Sequence, residues 1–204
     1  MDTNSNSVKK CVSLFSCAGF GDIGLHAAGI HTISACEIVK ERAELLQHNF
    51  PETRVFQEDI WQCQNSIVEH AQSHLNGEEL YCMIISAPCQ GASSNGMGRI
   101  SHQVKKGMRE KDDPRNRLIL PAIEIVKQLR PKYIIIENVP GMRHTEILNE
   151  FDQYETILSL MHRYMTEYVL RASVLNTANY GVPQLRRRLI TLGVRADYTS
   201  EPRL

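Results

Sequence analysis

A thiol stands where an apolar run gives way to small polar residues. Tyr81-Cys82-Met83-Ile84-Ile85 passes through Ser86-Ala87 into Pro88-Cys89-Gln90, and Gly91-Ala92-Ser93-Ser94-Asn95-Gly96-Met97-Gly98 follows. The run is short and rich in strand formers, and Pro88 stops it because proline has no N–H to give to a ladder. Cys89 is thus held at the carboxyl end of a strand, ahead of a stretch suited to closing over a ligand. That setting suits a nucleophile. Taken alone, Cys89 reads first as a buried structural cysteine. Three carboxylates change that reading by their positions. Glu37 closes the run His31–Cys36, Asp59 follows Val55-Phe56, and Glu137 closes Tyr133–Ile136. Any one of them is ordinary surface charge. Three acids, each just past an apolar run, argue otherwise. Gln184-Leu185-Arg186-Arg187-Arg188 adds guanidinium groups ahead of one more such run, Leu189–Val194.

Strands and helices must position these groups. Cys11–Phe15 reads as a first strand. It runs into Ser16-Cys17-Ala18-Gly19-Phe20-Gly21-Asp22 and then a helix, with Asp22 a candidate N-cap and Gly29 its stop. The glycine turn lets backbone approach a ligand, but it lacks GxGxxG and reads equally as a tight βα connection. His31–Cys36 is a second strand, and an acid at its end is where a Rossmann-type fold places a carboxylate on ribose hydroxyls. Helical segments at 38–49 and 61–75 flank the short strand Val55-Phe56. The polar stretch 91–114 carries Arg99, Lys105, Lys106, Arg109 and Lys111, whose charges suit phosphate oxygens or plain solvation. A helix is predicted from Asp113 to about Leu129, with Pro121 in its first turn or displacing its start, and Pro131 beyond it. The continuous apolar run Tyr133–Ile136 is a central parallel strand. A helix over 144–164, a strand over Tyr168–Leu175, a turn-rich connection at 176–183 and a last strand at Leu189–Val194 complete the chain. The alternation predicts an α/β domain with a mostly parallel, doubly wound sheet. Residues 1–9 read as a disordered tail and 10–204 as the folded domain.

Bulk properties narrow the partners. The chain has 204 residues and a formal net charge of zero. A nucleic acid must therefore be met by a local basic patch rather than by global charge. No apolar run approaches membrane-spanning length and the first residues are polar, so a cytoplasmic protein with no membrane partner is expected. The six cysteines, at 11, 17, 36, 63, 82 and 89, show no CxxC spacing. No metal site is predicted, and the thiols should be free.

Phe15…Gly19, Pro88-Cys89-Gln90, Glu137-Asn138-Val139 and Gln184-x-Arg186-x-Arg188, in this order along residues 12 to 195, resemble the cytosine-C5 DNA methyltransferases. The resemblance implies a Rossmann-like fold dependent on S-adenosylmethionine, with S-adenosylhomocysteine as product. It implies that Phe15, Ala18 and Gly19 line the methionine side of the cofactor, that Glu37 takes the ribose hydroxyls and that Ile38 flanks adenine. Asp59 and Ile60 would read adenine, with Pro88 and Leu118 completing the pocket. Cys89 matches the nucleophile, Glu137 the acid on the cytosine ring, and Arg188 the group on its O2, with Arg186 and Gln184 in support. Gln90, Ser93, Arg99 and Gln184 would face DNA. The implied partner is double-stranded DNA with a flipped cytosine, and the implied setting a restriction–modification system, in the cytoplasm and associated with the nucleoid in a bacterium. Two alternatives stay open: a cytosine methyltransferase acting on transfer RNA, and an inactive cofactor-binding remnant.

The chain also departs from the family. Cys17 and Phe20 stand where glycine is usual, and Ala92 where an aromatic residue commonly follows. Family members continue past the position of Arg195 into a target-recognition domain and a final helix that rejoins the cofactor domain, whereas this sequence stops at Leu204. The expectation is a natural subunit or a fragment, with recognition supplied by a second polypeptide and an apolar face left uncovered.

Overall fold

A computed structural model describes residues 8–88 and 113–198. Seven strands form one sheet: β1 (Lys9–Leu14), β2 (Ile30–Cys36), β3 (Arg54–Phe56), β4 (Cys82–Ile85), β5 (Tyr133–Asn138), β8 (Tyr168–Asn176) and β9 (Arg187–Arg195). Their order across the sheet is β3-β2-β1-β4-β5-β9-β8. The first five neighbours pair in parallel. β9 pairs antiparallel with both β5 and β8, so β9 alone runs against the rest. A separate hairpin joins β6 (Glu146–Leu148) to β7 (Tyr154–Thr156). The helices are α1 (Phe20–Ala27), α2 (Lys40–Asn49), α3 (Ile60–Leu75), α4 (Ile119–Leu129) and α5 (Ile157–Tyr164). The architecture is the predicted α/β sheet. Among the described residues no helix is long and apolar enough to cross a membrane.

Register assigns side chains to faces, because partners across a ladder point the same way. Val12, Leu14, Met83, Ile85, Ile134 and Ile136 share one face and are buried. They form a single apolar cluster with residues of α3, α4 and α5. The spacing of α3 accounts for its place there, since Ile60, Cys63, Ile67, Val68, Ala71 and Leu75 recur at helical intervals and are buried. Each fully buried Leu or Ile contributes roughly 1.5–3 kcal/mol. On the other face Cys11, Cys82 and Leu25 form a small cluster, with Ile84, Tyr133 and Ile135 only partly covered. Here α1 crosses β4 so closely that a Cβ on Gly21 would lie 2.7 Å from Ile84 Cδ1.

Several local expectations need correction. Lys9, expected in the tail, begins β1 by pairing in register with Ile30. Asp22 does not cap α1. Gly19, at φ 84°, takes that position, and Asp22 lies inside the first turn, 2% exposed. It accepts hydrogen bonds from Ser13 Oγ at 3.2 Å and Thr32 Oγ1 at 2.7 Å, and burial pushes its carboxyl pKa upward. The stop at Gly29 holds, with φ 73°. The helix expected over 144–164 exists only from Ile157. Asn149 Oδ1 accepts from the N–H groups of Phe151 at 2.9 Å and Gln153 at 3.0 Å, which turns the chain into the β6–β7 hairpin. Thr156 Oγ1 then caps α5 by accepting from Ser159 N. The helix expected from Asp113 splits into a 3₁₀ turn, Pro114–Leu118, and α4, whose first turn holds Pro121.

Candidate active site

Parallel pairing sets two acids side by side. Cys36 is the register partner of Phe56, and Glu37 N donates to Phe56 O at 3.1 Å, so Glu37 and the chain leading to Asp59 leave the sheet together. Glu37 is 6% exposed, and both its oxygens are held: Cys17 N donates to Oε2 at 2.9 Å and Val39 N to Oε1 at 2.9 Å. One further lone pair on each oxygen stays open to a pair of hydroxyls. The Cys17 amide reaches Glu37 because the turn after β1 is left-handed at Phe15 (φ 58°) and Cys17 (φ 52°). Side chains seldom adopt that region, at a cost of order 1 kcal/mol per residue. Ser16 fixes the turn, donating from N to Cys36 O at 3.0 Å and from Oγ to Ser13 O at 2.9 Å. Asp59 caps α3, its Oδ1 accepting from Trp61 N at 3.0 Å.

These groups border a cleft of about 720 Å³ at the carboxyl ends of the parallel strands, a volume within the ordinary range for a cofactor site. Phe15, Ile38, Ile60, Pro88 and Leu118 give it apolar walls. Glu37 and Asp59 lie on the β2–β3 side, and Glu137 on the β5 side. Ala18 and Gly19 belong to the turn but do not line the cleft. Glu137 Oε1 pairs with Arg188 Nε at 2.7 Å. Because β9 runs antiparallel to β5, the start of β9 lies beside the end of β5, where Asn138 pairs with Leu189. Arg186 and Gln184 are exposed in the connection before β9, outside the cleft lining. Cys89, Gln90, Ser93 and Arg99 lie outside the described residues, and Pro88 is the last residue before that segment.

Asn138 contributes a link that the sequence did not disclose. It is 5% exposed, its Nδ2 donates to Ala87 O at 2.7 Å, and its Oδ1 accepts from Val139 N at 2.8 Å. The end of β5 thereby holds the backbone that leads through Pro88 to Cys89. Cys17, Cys36, Arg42, Trp61 and Arg115 also border the cleft. Arg115 is held by its own loop, donating from Nε and Nη2 to the two oxygens of Asp113 at 2.9 and 2.7 Å. Among the described residues, no cluster of three or more His, Cys, Asp or Glu side chains is gathered to hold a metal.

The sequence pattern described as C-5 cytosine-specific DNA methylase matches residues 9–203. The chain belongs to this family. Its similarity to the type II methyltransferase M.AquIA of Picosynechococcus is 34% identity over 194 residues, covering 94% of this chain and 74% of that protein. Similarity to the type II methyltransferase M1.HgaI of Avibacterium volantium is 35% over 184 residues, covering 88% of this chain and 48% of the relative. The methylase fold is also that of a DNA modification methyltransferase from an E. coli prophage, with TM-score 0.72 and 24% identity over 95% of this chain and 49% of that one. The chain thus spans about half the length of several methylases it matches and about three quarters of another.

Proposed function

We propose that the chain is the catalytic part of a DNA cytosine-C5 methyltransferase of a restriction–modification system, with S-adenosylmethionine in the cleft. The observation that carries this reading is that Glu137, on the border of the cleft that the clamped Glu37 also borders, pairs with Arg188 at 2.7 Å. The donor set suits the cofactor. Glu37 presents two prepared oxygens to ribose hydroxyls, Asp59 is placed for the exocyclic amine of adenine, and Ile38, Ile60 and Leu118 offer surfaces for its ring. Phe15 and the turn after β1 suit the amino-acid end. S-adenosylmethionine, when bound, supplies a methyl group on a sulfonium centre and leaves as S-adenosylhomocysteine.

The chain's own residues activate the base. Cytosine C5 is a poor nucleophile until a thiolate adds at C6. Cys89 follows Pro88 directly in sequence, and Asn138 holds the Ala87 carbonyl before that proline. In this reading Arg188 binds the base O2 as that oxygen gains negative charge, and Glu137 hydrogen-bonds at N3. A base edge with an oxygen beside a ring nitrogen meets both groups at once. A cytosine reaches them only by leaving the duplex.

Recognition of the DNA target is assigned to a second polypeptide or to further chain. The partly exposed sheet face of Ile84, Tyr133, Ile135, Ile190 and Leu192, beside the exposed Phe20 and Ile23 of α1, supports a partner that covers it. The test is transfer of labelled methyl from S-adenosylmethionine to genomic DNA, by the chain alone and with a candidate partner polypeptide. Transfer abolished by Cys89→Ser supports the reading. Cofactor binding without transfer to DNA in either condition overturns it, and transfer to RNA alone replaces it with the RNA reading. Glu37→Ala should weaken cofactor binding by about 1.5–3 kcal/mol, the range for hydrogen bonds to a charged group, as measured by calorimetry.

A further inference from the structure

Two thiols meet at the wall of the cleft. Cys36 ends β2, immediately before the clamped Glu37, and Cys63 lies in the first turn of α3, which Asp59 caps. Their sulfurs are 3.7 Å apart, although the residues are 27 positions apart in sequence. Cys36 is 2% and Cys63 1% exposed, and Cys36 borders the cleft. The hydrogen bond between them, followed by burial, raises the Cys36 pKa, and the same bond lowers that of Cys63. Cys11 and Cys82, register partners on β1 and β4, also share a thiol–thiol hydrogen bond but do not line the cleft, while Cys17 lines it, with Sγ in no hydrogen bond to another thiol.

We propose that Cys36 and Cys63 form a disulfide-forming site through which hydrogen peroxide closes the cleft to its cofactor, an inference that rests on the cofactor reading above. One thiol of the pair, as its thiolate, attacks one peroxide oxygen. The O–O bond breaks, hydroxide leaves and takes up a proton as water, and that sulfur becomes a sulfenic acid. The Sγ of the other cysteine then attacks it, the S–O bond breaks, and a second water departs with the second thiol's proton. Two thiols are oxidised by two electrons and one peroxide is reduced to two waters. The sulfurs must approach from 3.7 Å to about 2.05 Å. That movement draws the end of β2 toward the first turn of α3, the two elements that carry Glu37 and Asp59. Conversely, a ligand in the cleft covers Cys36 and slows the reaction.

The experiment treats the full chain with hydrogen peroxide, with and without S-adenosylhomocysteine, and maps unreduced peptides by mass spectrometry. Binding is followed in parallel through the fluorescence of Trp61, the chain's single tryptophan, which borders the cleft. The expected results are a Cys36–Cys63 linked peptide that dithiothreitol removes, cross-linking slowed by S-adenosylhomocysteine, and affinity lowered about tenfold in the oxidised form, a coupling of ordinary size. Cys63→Ser and Cys63→Ala should bind like the reduced parent and keep binding after peroxide, two variants guarding against a folding defect in either. Absence of the 36–63 peptide while the thiols oxidise singly overturns the site. A linked peptide with unchanged affinity overturns the closure. Reduced protein that forms the link but never binds S-adenosylhomocysteine overturns the cofactor reading of the cleft, and the closure with it, while the linked peptide still establishes the site.

Discussion

The two faces of the sheet are built from the same strands and the same residue types, yet they differ in fate. Ile134 and Ile136 are 1% and 2% exposed beneath the α3–α4–α5 layer, whereas Ile135, between them in β5, is only partly covered beside α1. Strand pairing alone does not seal a parallel sheet, which needs a layer on each face. One layer is complete among the described residues. The other is begun by α1, which covers Cys11 and Cys82, and thins out toward β5 and β9. The near-continuous apolar run of β5 is a request for two layers.

Substitutions along β5 give the sharpest test of that contrast. Ile136→Ala should destabilise by about 2–5 kcal/mol, the cost of a cavity in a packed core, as measured by urea unfolding. Asn138→Ala, at the strand end on the same face, should cost about 1–3 kcal/mol by leaving the Ala87 carbonyl without its partner. It should also slow methyl transfer while leaving cofactor affinity close to the parent's. Ile135→Ala should cost only about 1 kcal/mol, because the side chain is already partly exposed to water. The same change should lower binding of a hydrophobic dye. Equal losses at 135 and 136 would break the contrast and mean that the α1 face is sealed in solution.

The smallest effect concerns the opposite rim of the sheet from the cleft. Glu79 accepts from Tyr198 at 2.6 Å and pairs with Arg195 and, at 3.4 Å, with Lys132. The Tyr198 hydroxyl first, then Arg195, pull its pKa down to about 2. A depressed carboxylate favours the folded state above the unfolded pKa of roughly 4.3, and that contribution fades as pH falls toward the folded value. Glu79 is largely solvated, so the effect is modest. Glu79→Gln should flatten the loss of thermal stability between about pH 4.3 and about pH 2, a window set by these two values, in calorimetric scans.

Legibility followed chemistry that leaves a trace in residue type. Glu37, Asp59 and Glu137 were readable because each ends an apolar run, and all three border one cleft. Pro88 and the glycine turn were readable as breaks. The donors that clamp Glu37 were not, since the amides of Cys17 and Val39 carry no side-chain signature. Asn138 was seen only as part of a motif, because its partner is a carbonyl 51 positions away. The Cys36–Cys63 contact depends on β2 and β3 pairing, which sequence periodicity does not report. The hairpin at 146–156 was mistaken for helix because its turn is built by the Asn149 side chain against local helical spacing. Asp22 was read as a cap because acids favour helix starts; a glycine able to adopt φ 84° took the position instead.

The reversed direction of β9 has a consequence for the order in which the molecule is made. β8 leaves the ribosome before β9 but has no seat of its own, since β9 fills the place between it and β5. Until β9 threads that gap, β8 has no ladder partner in the sheet, and Glu137 has no guanidinium beside it. β9 thus finishes the described sheet and sets Arg188 beside Glu137 in one step. A nascent chain holds the acids and apolar walls of the cleft well before it holds the guanidinium that pairs with Glu137.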